Sequence, residues 1–127
     1  MAAIGYCFGG GIVLAMARAG VDLDAVASFH GSIAPRDPEA PINVKARILV
    51  LNGADDPLVT AEQIAAFKKE MTAAGADWKF VNYEGAKHSF TNPDADAHGM
   101  EALAYNPTAD RQSWAEMLKL LKKVFGR

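Results

Sequence analysis

The sequence predicts an α/β fold, a parallel sheet of about four strands flanked by three to four helices. Three observations carry this prediction. Short apolar runs alternate along the chain with segments of helical periodicity. The central runs, Ala25 to Phe29 and Ile48 to Leu51, have the length and continuity of strands covered on both faces. The order strand, helix, strand, loop, strand, helix, strand, loop, helix has no internal repeat or low-complexity linker in it.

The elements follow in chain order. Met1 to Tyr6 is the first apolar run and enters a turn rich in glycine at Gly5, Gly9, Gly10 and Gly11. A helix over Gly9 to Ala19 comes next; its single charge is Arg18, and Gly20 stops it. Ala25 to Phe29 is a second strand, followed by a loop from His30 to Asn43 that holds Pro35, Pro38 and Pro41. Ile48 to Leu51 is the third. Thr60 to Gln63 forms a capping box for a helix that places Ile64, Phe67, Met71 and Ala74 inward and Lys68, Lys69 and Glu70 outward, ending at Gly75. Trp78 to Tyr83 is a fourth strand, and a loop runs from Glu84 to about Tyr105. Asn106-Pro107 opens a last helix with Trp114, Met117, Leu118, Leu121, Val124 and Phe125 expected on one face.

The 127 residues suit a single domain over 1–127, with 50% apolar residues to build its core. A formal net charge of -2 and thirteen scattered Lys and Arg give no basic field, so neither nucleic acid nor an anionic membrane surface is expected as a partner. The one cysteine excludes an internal disulfide, and no Cys/His motif has zinc spacing; no metal and no cofactor are expected. No apolar run reaches the ~20 residues of a membrane helix. A cytoplasmic location is expected.

Chemistry concentrates at three places, each just after a predicted strand. Gly5-Tyr6-Cys7-Phe8-Gly9 has the form G-x-nucleophile-x-G at a strand-to-helix junction, a nucleophile elbow with cysteine in the serine position. Both glycines are expected where a Cβ would collide as strand and helix converge. The helix N-terminus behind Cys7 favours negative charge, and the Phe8 N–H is a candidate oxyanion donor. Asn52 to Val59 carries Asp55 and Asp56, between which chemistry alone does not choose. Lys87-His88-Ser89-Phe90 offers an imidazole at the same sheet edge. Taken singly, these are a small buried thiol, a turn cluster and a solvated loop histidine. Their order, nucleophile then acid then base, is that of a hydrolase triad.

The set G-Y-C-x-G-G, then G-x-x-D-x-x-V after a strand, then H-S-F, resembles the dienelactone hydrolase family of the α/β-hydrolases across essentially the whole chain. Matching the second motif to Gly53, Asp56 and Val59 selects Asp56 over Asp55. The segments Phe90 to Pro93 and Tyr105 to Trp114 are also similar to a bacterial branch. The resemblance implies the C-terminal half of an α/β-hydrolase fold that starts at the elbow strand. The family's preceding part holds a second oxyanion donor and a glutamate that handles the resting thiol. One position departs from the best-known members: an arginine that binds the substrate carboxylate shortly after the triad histidine has no counterpart here, where Asn92 is the fourth residue after His88. This argues against dienelactone itself as substrate.

The resemblance and the triad order together imply cleavage of a small ester or lactone by Cys7, His88 and Asp56, with Phe8 as oxyanion donor and Tyr6, His30 and Phe90 lining the pocket. The alternative is a catalytically impaired fragment or a non-catalytic interaction module of the same fold. A strand edge at Met1 to Tyr6, beside a helix apolar on all sides, implies a homodimer or higher oligomer.

Overall fold

The structure, a computed structural model, describes residues 1–33 and 43–126. The proline-bearing part of the loop after the second strand lies outside the described residues. Four strands form one parallel sheet in the order β1 (Ala2–Tyr6), β2 (Ala25–Phe29), β3 (Arg47–Gly53), β4 (Trp78–Tyr83). The helices are α1 (Phe8–Arg18), α2 (Ala61–Ala73) and α3 (Pro107–Phe125), with a short 3₁₀ turn at Ala95–His98 inside what the sequence reads as loop. The fold is thus the expected α/β arrangement.

Strand alternation divides the core in two. Val26, Ile48 and Val50 point to the face covered by Val13, Leu14 and Ala17 of α1 and by Phe67 and Met71 of α2. Ala27, Phe29, Leu49 and Leu51 point to the other, where Ala109 and Met117 of α3 pack with Tyr83 and Phe90. β2 is buried at every position because it lies inside the sheet with helices on both sides.

Two helices depart from the expected pattern. Glu70 does not point into water: its Oε1 accepts a 2.7 Å bond from Arg18 Nε, so the single charge of α1 ties that helix to α2. On α3 the face against the sheet is Ala109, Ser113 and Met117, with Leu120 and Leu121 half-buried. Trp114, Leu118 and Phe125, expected on the packed face, are exposed. They lie one residue further round the helix, about 100° from that stripe.

The sheet edge follows the expectation. β1 pairs only with β2 among the described strands, and its Ile4 and Tyr6 are both about 40% exposed (41% and 42%). Phe8 and Ile12 on the outer flank of α1 are exposed as well. No helix among the described residues is long and apolar enough to cross a membrane.

Candidate active site

The sheet register brings the chemistry to one edge. Tyr6 pairs with Phe29, Phe29 with Leu51, and Gly53 with Tyr83, so the strands end nearly level. The ladder continues one step beyond them. Cys7 N–H donates to Phe29 C=O (3.0 Å), His30 N–H to Leu51 C=O (2.8 Å) and Ala54 N–H to Tyr83 C=O (2.9 Å). Cys7 and His30 are thereby fixed at the carboxyl end of the sheet, where open α/β folds gather function.

Cys7 stands on the expected sharp turn, with φ 54° and ψ -119° between β1 and α1. A Cβ on Gly5 would lie 2.2 Å from Gly9 C=O oxygen, so only glycine lets the first turn of α1 pass over β1. Gly9 itself has open space at its Cβ position, contrary to the expectation that both glycines are sterically required. The clash is one-sided: it is the backbone of Gly9 that occupies the room beside Gly5. A second close approach, Gly10 against Gly31, leaves no space for a Cβ on either and draws the Cys7 turn onto the segment of His30.

His88 and Asp56 form a pair. His88 Nδ1 is 2.9 Å from Asp56 Oδ2, and the Asp56 side chain is fully buried while its Oδ1 accepts from the Leu58 N–H at 2.8 Å. Asp55 is exposed, and its N–H bonds to Ala86 C=O at 2.9 Å. Gly53 lets the His88 loop cross the end of β3, since a Cβ there would meet Ala86 C=O oxygen at 2.5 Å. That loop is tied back through His88 N–H to Ala102 C=O (3.2 Å) and Ala104 N–H to His88 C=O (3.3 Å).

The Cys7 thiol has two near partners, His30 Nδ1 at 3.2 Å and Ser89 Oγ at 3.3 Å. The ligand-capable atoms of Cys7, His30 and His88 all lie within 4.8 Å of one another. His30 is buried; its Nε2 is 2.8 Å from Thr91 Oγ1, and its ring meets those of His88 and Phe90 edge-on at 5.6 Å and 5.0 Å. Burial first, and the His88 charge second, lower its pKa from 6.5 to about 4. With Nε2–H donating to Thr91, the neutral ring presents the Nδ1 lone pair to the thiol. Three residues other than glycine have positive φ among the described residues: Cys7, His30 (41°) and Ser89 (61°). All three meet at the sulfur. Such backbone strain persists where the surrounding structure over-determines a site.

A cavity of about 150 Å³ opens at the thiol, lined by Cys7, Phe8, Gly31, Ser32, Leu58, Val59 and His88. Phe8, the expected oxyanion donor, borders it, whereas the expected pocket residues Tyr6, His30 and Phe90 are not among those that line it. Phe90 is wholly buried behind His30, against Tyr83, so it supports the site from the core. His30 likewise lies beneath the thiol. Tyr6 stacks on Phe29 at 4.4 Å on the opposite sheet face from α1. Ser32, Leu58 and Val59 were not legible as lining residues: Ser32 lies in no motif, and the motif from Gly53 to Val59 marks a carboxylate rather than a pocket wall.

The family model for the dienelactone hydrolase family matches residues 1–125. The chain belongs to the dienelactone hydrolase family. A relative from Caenorhabditis elegans, uncharacterized protein K02A2.1, is 34% identical over 98% of this chain and 80% of its own length. The solved dienelactone hydrolase-like promiscuous phosphotriesterase P91, from metagenomic libraries, superposes with a TM-score of 0.93 at 41% identity, over 97% of this chain and 52% of that one. The solved protein m3DLH gives 0.90 at 45% identity, over 97% and 51%. The chain spans about half the length of these two solved proteins.

Proposed function

We propose that this chain carries the catalytic triad of an ester or lactone hydrolase, with Cys7 as nucleophile, His88 as general base and acid, and Asp56 as the carboxylate that orients His88. The observation that carries it is the His88–Asp56 pair set beside a thiol on a strained elbow. Cys7 sulfur attacks the carbonyl carbon as His88 takes the thiol proton; the oxyanion is met by the Phe8 N–H at the start of α1. Collapse breaks the C–O bond, and His88 returns the proton to the leaving alkoxide. Water, deprotonated by His88, then attacks the thioester carbonyl; the C–S bond breaks, the carboxylic acid is released and the His88 proton returns to the sulfur. Asp56 holds the tautomer with Nδ1–H towards itself. Family membership supports hydrolysis over a non-catalytic module, and the likeness to the phosphotriesterase P91 supports a phosphotriester as a second substrate. A reduced thiol nucleophile suits a reducing, cytoplasmic compartment.

The test is hydrolysis of p-nitrophenyl acetate by the wild type, Cys7→Ala, Asp56→Asn and Asp55→Asn. Cys7→Ala abolishes turnover above background, Asp56→Asn lowers it by about 10²- to 10⁴-fold, and Asp55→Asn leaves it within a few-fold. Equal rates for wild type and Cys7→Ala refute the nucleophile. Equal losses at Asp55 and Asp56 refute the choice of carboxylate.

A further inference from the structure

Cys7, His30 and His88 are too far apart in sequence to form any zinc-spacing motif, yet three separate loops bring their ligand atoms within 4.8 Å of one another. Tetrahedral zinc with bonds of about 2.3 Å to sulfur and about 2.0–2.1 Å to nitrogen has ligand-to-ligand edges of about 3.3–3.6 Å. The Cys7 Sγ to His30 Nδ1 distance is 3.2 Å. The widest separation, at most 4.8 Å, needs to close by about an ångström.

The outer contacts are those of a metal site. His88 gives its Nδ1 to Asp56, a carboxylate–histidine arrangement that leaves Nε2 as donor to a metal. His30 gives Nε2 to Thr91 Oγ1, which fixes the ring with Nδ1 turned to the sulfur. Ser89 Oγ, 3.3 Å from the sulfur, and the adjoining cavity leave a fourth position for a hydroxyl or water.

We propose that Cys7 Sγ, His30 Nδ1 and His88 Nε2 form a binding site for a thiophilic divalent cation of borderline softness, Zn²⁺, whose occupancy blocks the nucleophile. Binding forms one Zn–S and two Zn–N bonds and releases the thiol proton to solvent. The metal then holds both the sulfur lone pair and the His88 nitrogen that accepts its proton, so the bound form is inactive and chelation restores it. The site stands on the geometry of the three ligands; only its inhibitory effect rests on the hydrolase reading.

The experiment is titration of the full chain with Zn²⁺ against a chromophoric chelator, with Co²⁺ in place of zinc for absorption spectra. One Zn²⁺ binds per chain, and the cobalt form shows a thiolate-to-cobalt charge-transfer band. Asp56→Asn weakens binding by about 10- to 100-fold, the usual effect of losing an outer partner, and Cys7→Ala by more than that, with loss of the band. His30→Gln weakens it at least about 10-fold. His98→Ala, at an exposed histidine outside the cluster, leaves it unchanged. Circular dichroism verifies folding; if His30→Gln unfolds, the half-buried Cys7→Ala decides. Absence of stoichiometric binding, or binding unaffected by Cys7→Ala, overturns the proposal. If no ester is hydrolysed, the hydrolase reading falls while the titration still decides the metal site.

Discussion

His30 joins the site as a neutral ring, and that neutrality has a consequence for stability. Its pKa is about 4 when folded against 6.5 when free, so between these values the unfolded chain binds more protons than the native one. No cost arises above about pH 6.5; destabilisation grows as pH falls towards about 4 and then levels, reaching about 3 kcal/mol at 1.36 kcal/mol per unit. In metal-free protein, with chelator present, urea midpoints at about pH 7 and pH 5 should fall further apart for the wild type than for His30→Gln. Equal differences would show that His30 titrates normally. Cys7, Asp56 and His88 were legible because each sits in a short motif directly after a strand. His30 was legible only as a residue at a strand end, and its bond to the thiol was not. That bond depends on a left-handed backbone at a residue other than glycine, which no local pattern announces.

At the scale of elements, the strand-to-helix junction at β1 and α1 is where packing and chemistry meet. Gly5→Ala forces a Cβ to 2.2 Å from a backbone oxygen that cannot yield without moving α1. It should cost at least about 1–3 kcal/mol and displace Cys7. Gly9→Ala meets nothing and gains up to ~1 kcal/mol of helix propensity. Thermal unfolding of both variants checks the contrast, and equal melting temperatures would contradict it. The strands and helices themselves were readable from apolar runs, the capping box at Thr60 and Gln63, and Asn106-Pro107. The packed face of α3 was not. Its apolar residues span more than one stripe, and periodicity cannot tell which stripe meets the sheet. The 3₁₀ turn at Ala95–His98 escaped because one short turn carries no periodic signal.

At the scale of the molecule, several of the exposed apolar residues flank the β1 edge. Ile4 and Tyr6 of β1 and Trp114 and Leu118 of α3 are exposed, and Tyr6 lies close enough to Asp110 of α3 for that charge to help raise its pKa, after burial. The stripe Asp110, Trp114, Leu118 therefore borders the β1 edge. A parallel edge unpaired among the described residues, beside such a face, is a template for another chain, and we propose that a second copy occupies it. Light scattering over a dilution series should show dimers or larger species at micromolar concentration; a folded monomer throughout would show that the edge stays free. The central claim concerns covalent chemistry at a single sulfur. Its most direct measurement is peptide mass spectrometry of the chain quenched during turnover of p-nitrophenyl acetate. The triad predicts one acetyl group on the peptide containing Cys7, formed and lost at the rate of turnover, and accumulating when deacylation is slowed. Turnover that proceeds with Cys7 never acetylated would contradict it.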